Sequence, residues 1–582
     1  MPGTRTPQPI LSAEAWATLV LGWAWAAYLF SRRGSVSAGH RAIRIFAATA
    51  TGLAALALVV YAIGGQLPFW PKVENGNFGF FPNRNQTANF LMLAGVMSAA
   101  IALEAWRSSP VKALLWLGAV GLHATALVLT NSRAGLLLFS GGLVALAICA
   151  GTVFRIKDVL KLMVILLSVV AVGVLVFGGR LLDRLAGDGG NGRQEFRPII
   201  HADALKLSYQ WPCLGVGLSN FEAAFRWDRD ASRSANYAQH PDEDWAWQIR
   251  TLHPESDWLW VATEMGWGAP ILLSVAVLVW LRRCFPFPNG SRRITRAAAL
   301  IGGVCFLIHG FQDVSGHRLG TIWAALFVMS TAVSPSVALP EARSGFYFFK
   351  VLGGLCVVLG AVGLVAGSGS PILPSQERLR FLRIEVDQAA AAGQSDRVEA
   401  AASAALSMAP LEWSFYYQRA VFRALSGRTP EALGDFRAVR LLERARVQEC
   451  LHEGILWLTL GHSEYTLEAW REAVRRSPDG GLGVFQWMVN QSSEQPAARC
   501  PLETLAQDTP LLAVTWLESS SRDDFTRLVH DWTQRDPGLR QLEPAQRQAV
   551  LKLWKAKGDL RELRRFLLEY PPFGIKNSAP SR

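Results

Sequence analysis

The sequence predicts an all-α protein in two parts: a polytopic transmembrane helical bundle over residues 1–370, followed by a soluble helical-repeat domain over 371–582. Three observations predict it. Apolar stretches of membrane-crossing length recur up to Ser370, separated by short polar pieces. From Pro371 onward no stretch approaches the ~20 apolar residues that a span needs. In that same region small, large and turn residues recur at an interval of 34 positions.

Ten candidate spans lie near 13–30, 45–64, 87–103, 111–130, 134–153, 159–178, 261–281, 297–310, 319–339 and 346–368. Loop charge sets their sense. One alternating set of loops holds Arg32, Arg33, Arg41 and Arg44, then Arg107 and Lys112, Arg155, Lys157 and Lys161, then Arg282, Arg283, Arg292, Arg293 and Arg296, and finally Arg343 and Lys350. The other short loops and the N-terminus hold only Arg5, Lys72, Arg84, Arg133 and Arg318. The positive-inside rule makes the first set cytoplasmic. In a bacterial inner membrane the long loop 179–260 and the whole of 371–582 then face the periplasm, and so does the N-terminus. The first apolar run is followed by Arg32 and Arg33 rather than by a small-residue cleavage site, so it reads as a span and not as a cleaved signal. Trp23, Trp25, Trp70, Trp106, Trp258, Trp260 and Trp267 fall at or near predicted span ends, where amphipathic rings favour the interface.

A pI near 9.6 invites a nucleic-acid reading, but the distribution of charge excludes it. Residues 371–582 carry 28 Lys and Arg against 27 Asp and Glu, so almost all of the net +12 lies in the membrane half. A nucleic-acid footprint is a basic patch on a soluble domain. The seven cysteines are scattered and form no CxxC pair, which gives no metal knuckle or disulfide framework; Cys450 and Cys500 pair only if their domain is periplasmic.

The repeat signal is concentrated at 394–478. Gly393, Gly427 and Gly461 are spaced by 34, Pro410 and Pro478 by twice that, and Leu433 matches Leu467, Phe436 matches Trp470 and Ala420 matches Gly454. The pattern resembles tetratricopeptide repeats, with paired helices continuing less regularly to Tyr570. Such arrays bind peptides or partner proteins in a concave groove; the alternative is a spacer or lid.

Chemistry is concentrated in a few outer-loop segments. Phe81-Pro-Asn-Arg-Asn85 precedes one span, and Thr130-Asn-Ser-Arg-Ala-Gly135 forms a tight turn between two others. The long loop contains Gly192-Arg193, a helix over Pro198–Gln210 and Trp-Pro-Cys-Leu-Gly-Val-Gly-Leu-Ser-Asn-Phe at 211–221. It ends in His253-Pro-Glu-Ser-Asp-Trp-Leu259, which runs into a span carrying Glu264, Gly266 and Gly268.

These segments, in this order and on one predicted face, are similar to the O-antigen ligase/polymerase superfamily over roughly residues 78–282. The resemblance implies a metal-independent, inverting transferase without cofactor. It moves glycan from an undecaprenyl-diphosphate-linked donor to a hydroxyl on a lipid, glycan or protein acceptor at the periplasmic face. Charge develops on the departing diphosphate, and arginine suits it because its fork pairs with phosphate oxygens and stays ionised. Arg133 and Arg193 fall on the family's arginine positions; Arg197 and Arg84 are further candidates.

The acceptor hydroxyl needs a base close to its proton. Aligning Gly266 with the family's glycine puts Glu255 where the family has its histidine. That departure leaves three readings: Glu255 acts as a carboxylate base, His253 takes the role, or the site has lost activity. A carboxylate just ahead of a helix is expected to be held ionised by the helix N-terminus, and Glu255, Ser256 and Asp257 also suit plain capping. The acids at Asp228, Asp230, Asp242, Glu243 and Asp244 read as a solvated surface rather than a metal site. Asp313, His317 and Arg318 lie in another outer loop, between the eighth and ninth spans, as candidates to line the cavity; His201 has no assigned partner, and His309 sits near the outer end of a span, where it is a functional candidate or a hydrogen-bonded helix contact. The competing function is a non-catalytic membrane scaffold whose repeats dock polysaccharide-export partners.

Overall fold

In a computed structural model, the described residues are 6–31, 36–64, 78–106, 108–152, isolated positions between 155 and 171, 197–228, 251–285, 292–333 and 375–571, apart from 445, 478–479 and 493–494. Among them are 23 α-helices and no β-strand. The predicted span 346–368 and Arg193 lie outside the described residues, and so does all of 159–178 but three isolated positions. The chain divides into two compact units, Met1–Phe225 with Thr251–Arg378, and Arg226–Arg250 with Leu379–Arg582.

The first unit contains α1 (Pro9–Ser31), α2 (Val36–Ala62), α3 (Arg84–Ala105), α4 (Pro110–Leu129) and α5 (Arg133–Gly151), followed by α6 (Arg197–Gln210) and, up to Phe225, the start of α7 (Phe221–Asp228). It ends with α8 (Asp257–Met265), α9 (Gly268–Cys284), α10 (Arg292–His309) and α11 (Leu319–Ala332). Five of these helices, α1 to α5, are long and apolar enough to cross a membrane. Helices α9 to α11 coincide with three further predicted spans but are shorter or more charged.

Local chemistry explains the helix starts. Asn83, Ser109, Ser132 and Ser256 cap α3, α4, α5 and α8 by accepting from backbone N–H groups of the first turn. Helix α3 is the hub. Small and apolar residues run all round it, and it is buried along most of its length against α2, α4, α5, α10 and α11. On α9, by contrast, Ile271, Leu272, Val275, Leu278 and Val279 are exposed, as a lipid-facing helix requires. Arg296, read above as a topology-setting charge, is buried and donates to the last carbonyls of α9 and α11 at Cys284 and Ala332, where a cation complements the helix ends.

The predicted span 261–281 is not continuous. It is broken into α8 and α9 at Gly266, whose φ is +76°. The glycine-rich loop 211–217 occupies the break: Val216 N donates to Thr263 O at 2.8 Å, Gly217 N to Glu264 O at 3.0 Å and Trp267 N to Pro212 O at 2.9 Å. Carbonyls of the span that would have bonded along a helix are therefore satisfied by the loop instead. The turn between α4 and α5 is as tight as its sequence predicts, with Asn131 at φ +54° and Ser132 as N-cap.

The second unit is built of paired helices. The first three pairs are α12 (Ser375–Ala391) with α13 (Ser395–Met408), α14 (Trp413–Leu425) with α15 (Thr429–Leu442), and α16 (Gln448–Thr459) with α17 (Ser463–Arg476). Each pair turns at one of the glycines spaced by 34, at φ +67°, +76° and +82°. After each glycine the next residue donates to the carbonyl five positions back, Gln394 to Ala389, Arg428 to Arg423 and His462 to Trp457, each at 2.9 Å. That is the left-handed cap for which glycine is preferred. The matched positions share a purpose as well. A Cβ at Gly454 would overlap the Trp470 indole, while Ala420 and Phe436 are buried in one core. Helices α18 (Leu482–Ser492), α19 (Arg499–Ala506), α20 (Pro510–Ser519), α21 (Arg522–Arg535), α22 (Pro544–Lys557) and α23 (Leu560–Glu569) continue the array.

Near-neutral charge in this unit reflects pairing between neighbouring helices. Arg419 grips Asp435 with two bonds of 2.9 and 2.8 Å, and Arg440 reaches the buried Glu453 at 2.6 Å. Cys450 is buried and Cys500 exposed, and both are free thiols rather than a pair.

Candidate active site

Four elements of the first unit converge where α8 begins: the N-termini of α3 and α6, the loop 251–256, and the loop that joins α10 to α11. Helix α6 is seated on α8 by Ala204, Leu207, Phe221 and Phe225, with Leu259 and Trp260 packed against them. The glycine-rich motif continues into this core. Asn220 Nδ2 donates to Val216 O at 3.2 Å, and the carboxylate of Glu264 accepts from Phe221 N at 3.3 Å. The motif 211–221 and Glu264 thus form a clamp that fixes α6, and with it Arg197, over the mouth of α8.

Arg197 is the first residue of α6. Its Nη2 lies 3.5 Å from Glu255 Oε2 and 3.6 Å from Asp313 Oδ2. Asp313 is buried, with 1% of its side chain exposed. It accepts from Val314 N at 2.7 Å and from Asn85 Nδ2 on the first turn of α3. Glu255 is partly exposed, and its φ of +54° is unusual for a side chain of this size. Its backbone carbonyl lies 3.3 Å from His201 Nε2, the partner that the sequence did not supply. His253 Nδ1 stands 3.5 Å from Glu255 Oε1.

Two expectations about Glu255 are corrected by this geometry. Only Ser256 caps α8; Glu255 precedes the cap and turns toward Arg197, and Asp257 turns toward the α10–α11 loop. Nor is Glu255 held firmly ionised. Burial raises its pKa above the ordinary carboxylate value, against the opposing pull of Arg197, while Asp313 adds to the rise and His201 and Arg84 oppose it. Burial also lowers the pKa of His253, which favours the neutral imidazole.

Asp257 is held on three sides. Its backbone N donates to Gly310 O and Asp313 O, its Oδ2 accepts from Gly316 N at 2.7 Å, and its Oδ1 accepts from His317 Nδ1 at 2.7 Å. The His317 ring stacks on Trp260 at 3.7 Å and 7°. These contacts lock the loop 310–317 onto α8. Asn85–Asp313 at one end of the α3–α10 contact and Glu104–Thr295 at the other set the pairing of these helices, and Asn89 and His309 are buried one turn further in. Among the described residues neither ring nitrogen of His309 nor the Asn89 amide has a hydrogen-bond partner. His309 is therefore not the hydrogen-bonded helix contact that one of its two readings supposed.

Of the predicted arginines, Arg197 touches both carboxylates and Arg84 is close enough for its charge to act on Glu255. Arg133 opens α5, whose first turn packs against α3 through Gly135 and Ala88, so it stands exposed at the same end of the bundle. Arg193 lies four residues ahead of α6, outside the described residues. Sequence reasoning weighted Arg197 below Arg193. Asn85 and Asp313 both stood among the outer-loop residues read from sequence, but their pairing did not, because a contact between residues 228 positions apart leaves no local pattern.

A chain with five helices of span length and composition in its first unit is a multi-pass membrane protein. Within it, residues 113–274 match the O-antigen ligase family, which implies polysaccharide ligation or polymerisation. The match runs from α4 into α9 and takes in Arg133, Arg197, His253, Glu255 and Asp257, whereas Asn85 and Asp313 come from outside it. No curated protein and no solved structure is similar enough to this chain to count as a match.

Proposed function

We propose that this protein transfers or polymerises glycan from an undecaprenyl-diphosphate-linked donor onto a hydroxyl acceptor at the periplasmic face of the bacterial inner membrane, as a metal-independent inverting glycosyltransferase. The observation that carries this reading is Arg197, set between Glu255 and Asp313 inside the stretch that matches the ligase family. The donor diphosphate binds Arg197 and Arg84, joined by Arg133 and Arg193, and these charges stabilise the leaving group as its bond breaks. Glu255 takes the proton of the acceptor hydroxyl, with the neutral His253 beside it. A carboxylate whose pKa is raised by burial is a better base than a free one, since base strength is most useful near the operating pH. The second unit is a periplasmic tetratricopeptide-like array that receives a large acceptor or a partner protein.

The test is transfer in vitro with purified lipid-linked repeat units, comparing the parent with Glu255→Gln, His253→Ala, Arg197→Ala and Arg193→Ala. Loss of about 10²- to 10⁴-fold is expected for Glu255→Gln. Activity that survives all four changes removes this site from the reaction. A parent that binds export partners yet transfers nothing to lipid, glycan or protein acceptors is a scaffold instead.

A further inference from the structure

We propose that Arg197 is a shared cation which donor binding draws from Glu255 to the diphosphate, and that Asp313 and Asn85 are positioning residues that hold it within reach of both. This rests on the reading that a lipid diphosphate binds here and adds to it how the base is controlled.

The two carboxylates around Arg197 are not equivalent. Asp313 is buried and pinned by Val314 N and by Asn85, so it cannot follow the guanidinium if that group moves. Glu255 is about a quarter exposed and lies on a loop. Arg197 itself is about one-third exposed, and both ion pairs, at 3.5 and 3.6 Å, are looser than a tight bidentate contact. A diphosphate offers more charge and paired oxygens that match the guanidinium fork. It displaces the looser, movable partner and leaves the fixed one.

The charges that face Glu255 come from every element around it: Arg197 and His201 on α6, Arg84 on α3, Asp313 in the α10–α11 loop and His253 on its own loop. Arg197 is the nearest cation. When its charge is engaged by phosphate, and phosphate adds negative charge of its own, the proton affinity of Glu255 rises. Without donor the Arg197 charge holds the base back; with donor in place it is stronger still. In transfer, the acceptor oxygen bonds to the anomeric carbon while the anomeric C–O bond to diphosphate breaks. The electron pair leaves on the diphosphate beside Arg197, and the acceptor proton passes to the Glu255 carboxylate and then to solvent.

The experiment is titration calorimetry of the full chain in lipid nanodiscs with undecaprenyl diphosphate, run in two buffers of different ionisation heat over a series of pH values from about 4.5 to 7.5. The parent is expected to take up part of a proton per diphosphate bound. Glu255→Gln should take up distinctly less and bind roughly five- to tenfold tighter, having lost a like charge near the ligand. Asp313→Asn should bind about tenfold more weakly, and Asp313→Glu, which keeps the charge, should recover most of that loss. Equal proton uptake in parent and Glu255→Gln, or weaker binding in Glu255→Gln, overturns the switch and leaves the diphosphate site standing. A folded parent that does not bind undecaprenyl diphosphate overturns the site itself.

Discussion

At the scale of single residues, the departure from the family pattern carries the most chemistry. On the proposed reading Glu255 serves where the resemblance leads one to expect a histidine, and burial raises its pKa above the ordinary carboxylate value. A base must be deprotonated to act, so transfer should fall as pH falls through the pKa of Glu255. Because that pKa is raised, the acid limb should lie above the ordinary carboxylate range. Glu255→Gln should flatten the limb together with its loss of rate, and Glu255→His should restore part of the rate with a limb moved toward that of imidazole. Initial rates from pH 4.5 to 8 with saturating donor check this; an unchanged limb in Glu255→Gln assigns the titration to another group. Glu255, His253 and the arginines were legible in sequence through the resemblance to the ligase/polymerase superfamily, with Gly266 setting the register. The direction of the Glu255 shift was not, because it depends on how deeply α6 covers the residue. A helix N-terminus and burial push a carboxylate in opposite directions, and only packing decides between them.

At the scale of elements, the glycine-rich motif reads as scaffolding for the site. Gly215 and Gly266 have φ of +65° and +76° and face each other's strands of backbone, so a Cβ on either would overlap the main chain of Glu264 or of Cys213. Gly215→Ala and Gly266→Ala should each cost about 2–4 kcal/mol through a left-handed backbone plus overpacking. Gly118→Ala and Gly141→Ala, where a Cβ meets nothing within 4 Å inside helices α4 and α5, should be neutral or slightly stabilising. Thermal unfolding in one detergent compares the four; a Gly266→Ala protein that melts with the parent removes the clamp as an account of the broken span. Helix existence was legible in sequence for α1 to α5 because hydropathy over about 20 residues is a strong signal. The break inside 261–281 was not, because the residues that cause it, Pro212 and Cys213, lie some fifty positions earlier. The repeat turns were legible for the opposite reason: the cap at Gly393, Gly427 and Gly461 is local, and its hydrogen bonds span five residues.

At the scale of the whole molecule, the proposed chemistry depends on which side of the membrane the site faces. The proposal needs the site on the periplasmic side, and the positive-inside reading of the loop arginines and lysines expects Arg84, Arg133 and the loop around Glu255 there. The free cysteines allow this to be measured. Cys213 is exposed beside Gly215 in the loop that clamps the site, and Cys500 is exposed in the second unit. Cys149 is partly exposed in the last turn of α5 and lies at the end of that helix opposite Arg133. Variants that keep one of these three thiols should therefore divide. A membrane-impermeant maleimide added to intact spheroplasts should modify the Cys213-only and Cys500-only proteins, and should reach the Cys149-only protein only after the membrane is opened. Cys284, Cys305 and Cys450 are buried and should stay unmodified while the protein is folded, which provides an internal control. The reverse pattern, with Cys149 labelled from outside and Cys213 protected, would put Arg197 and Glu255 in the cytoplasm. There the positive charge on the opposite loops would have to face outward, and the site would stand on the wrong leaflet for a glycan already carried across the membrane.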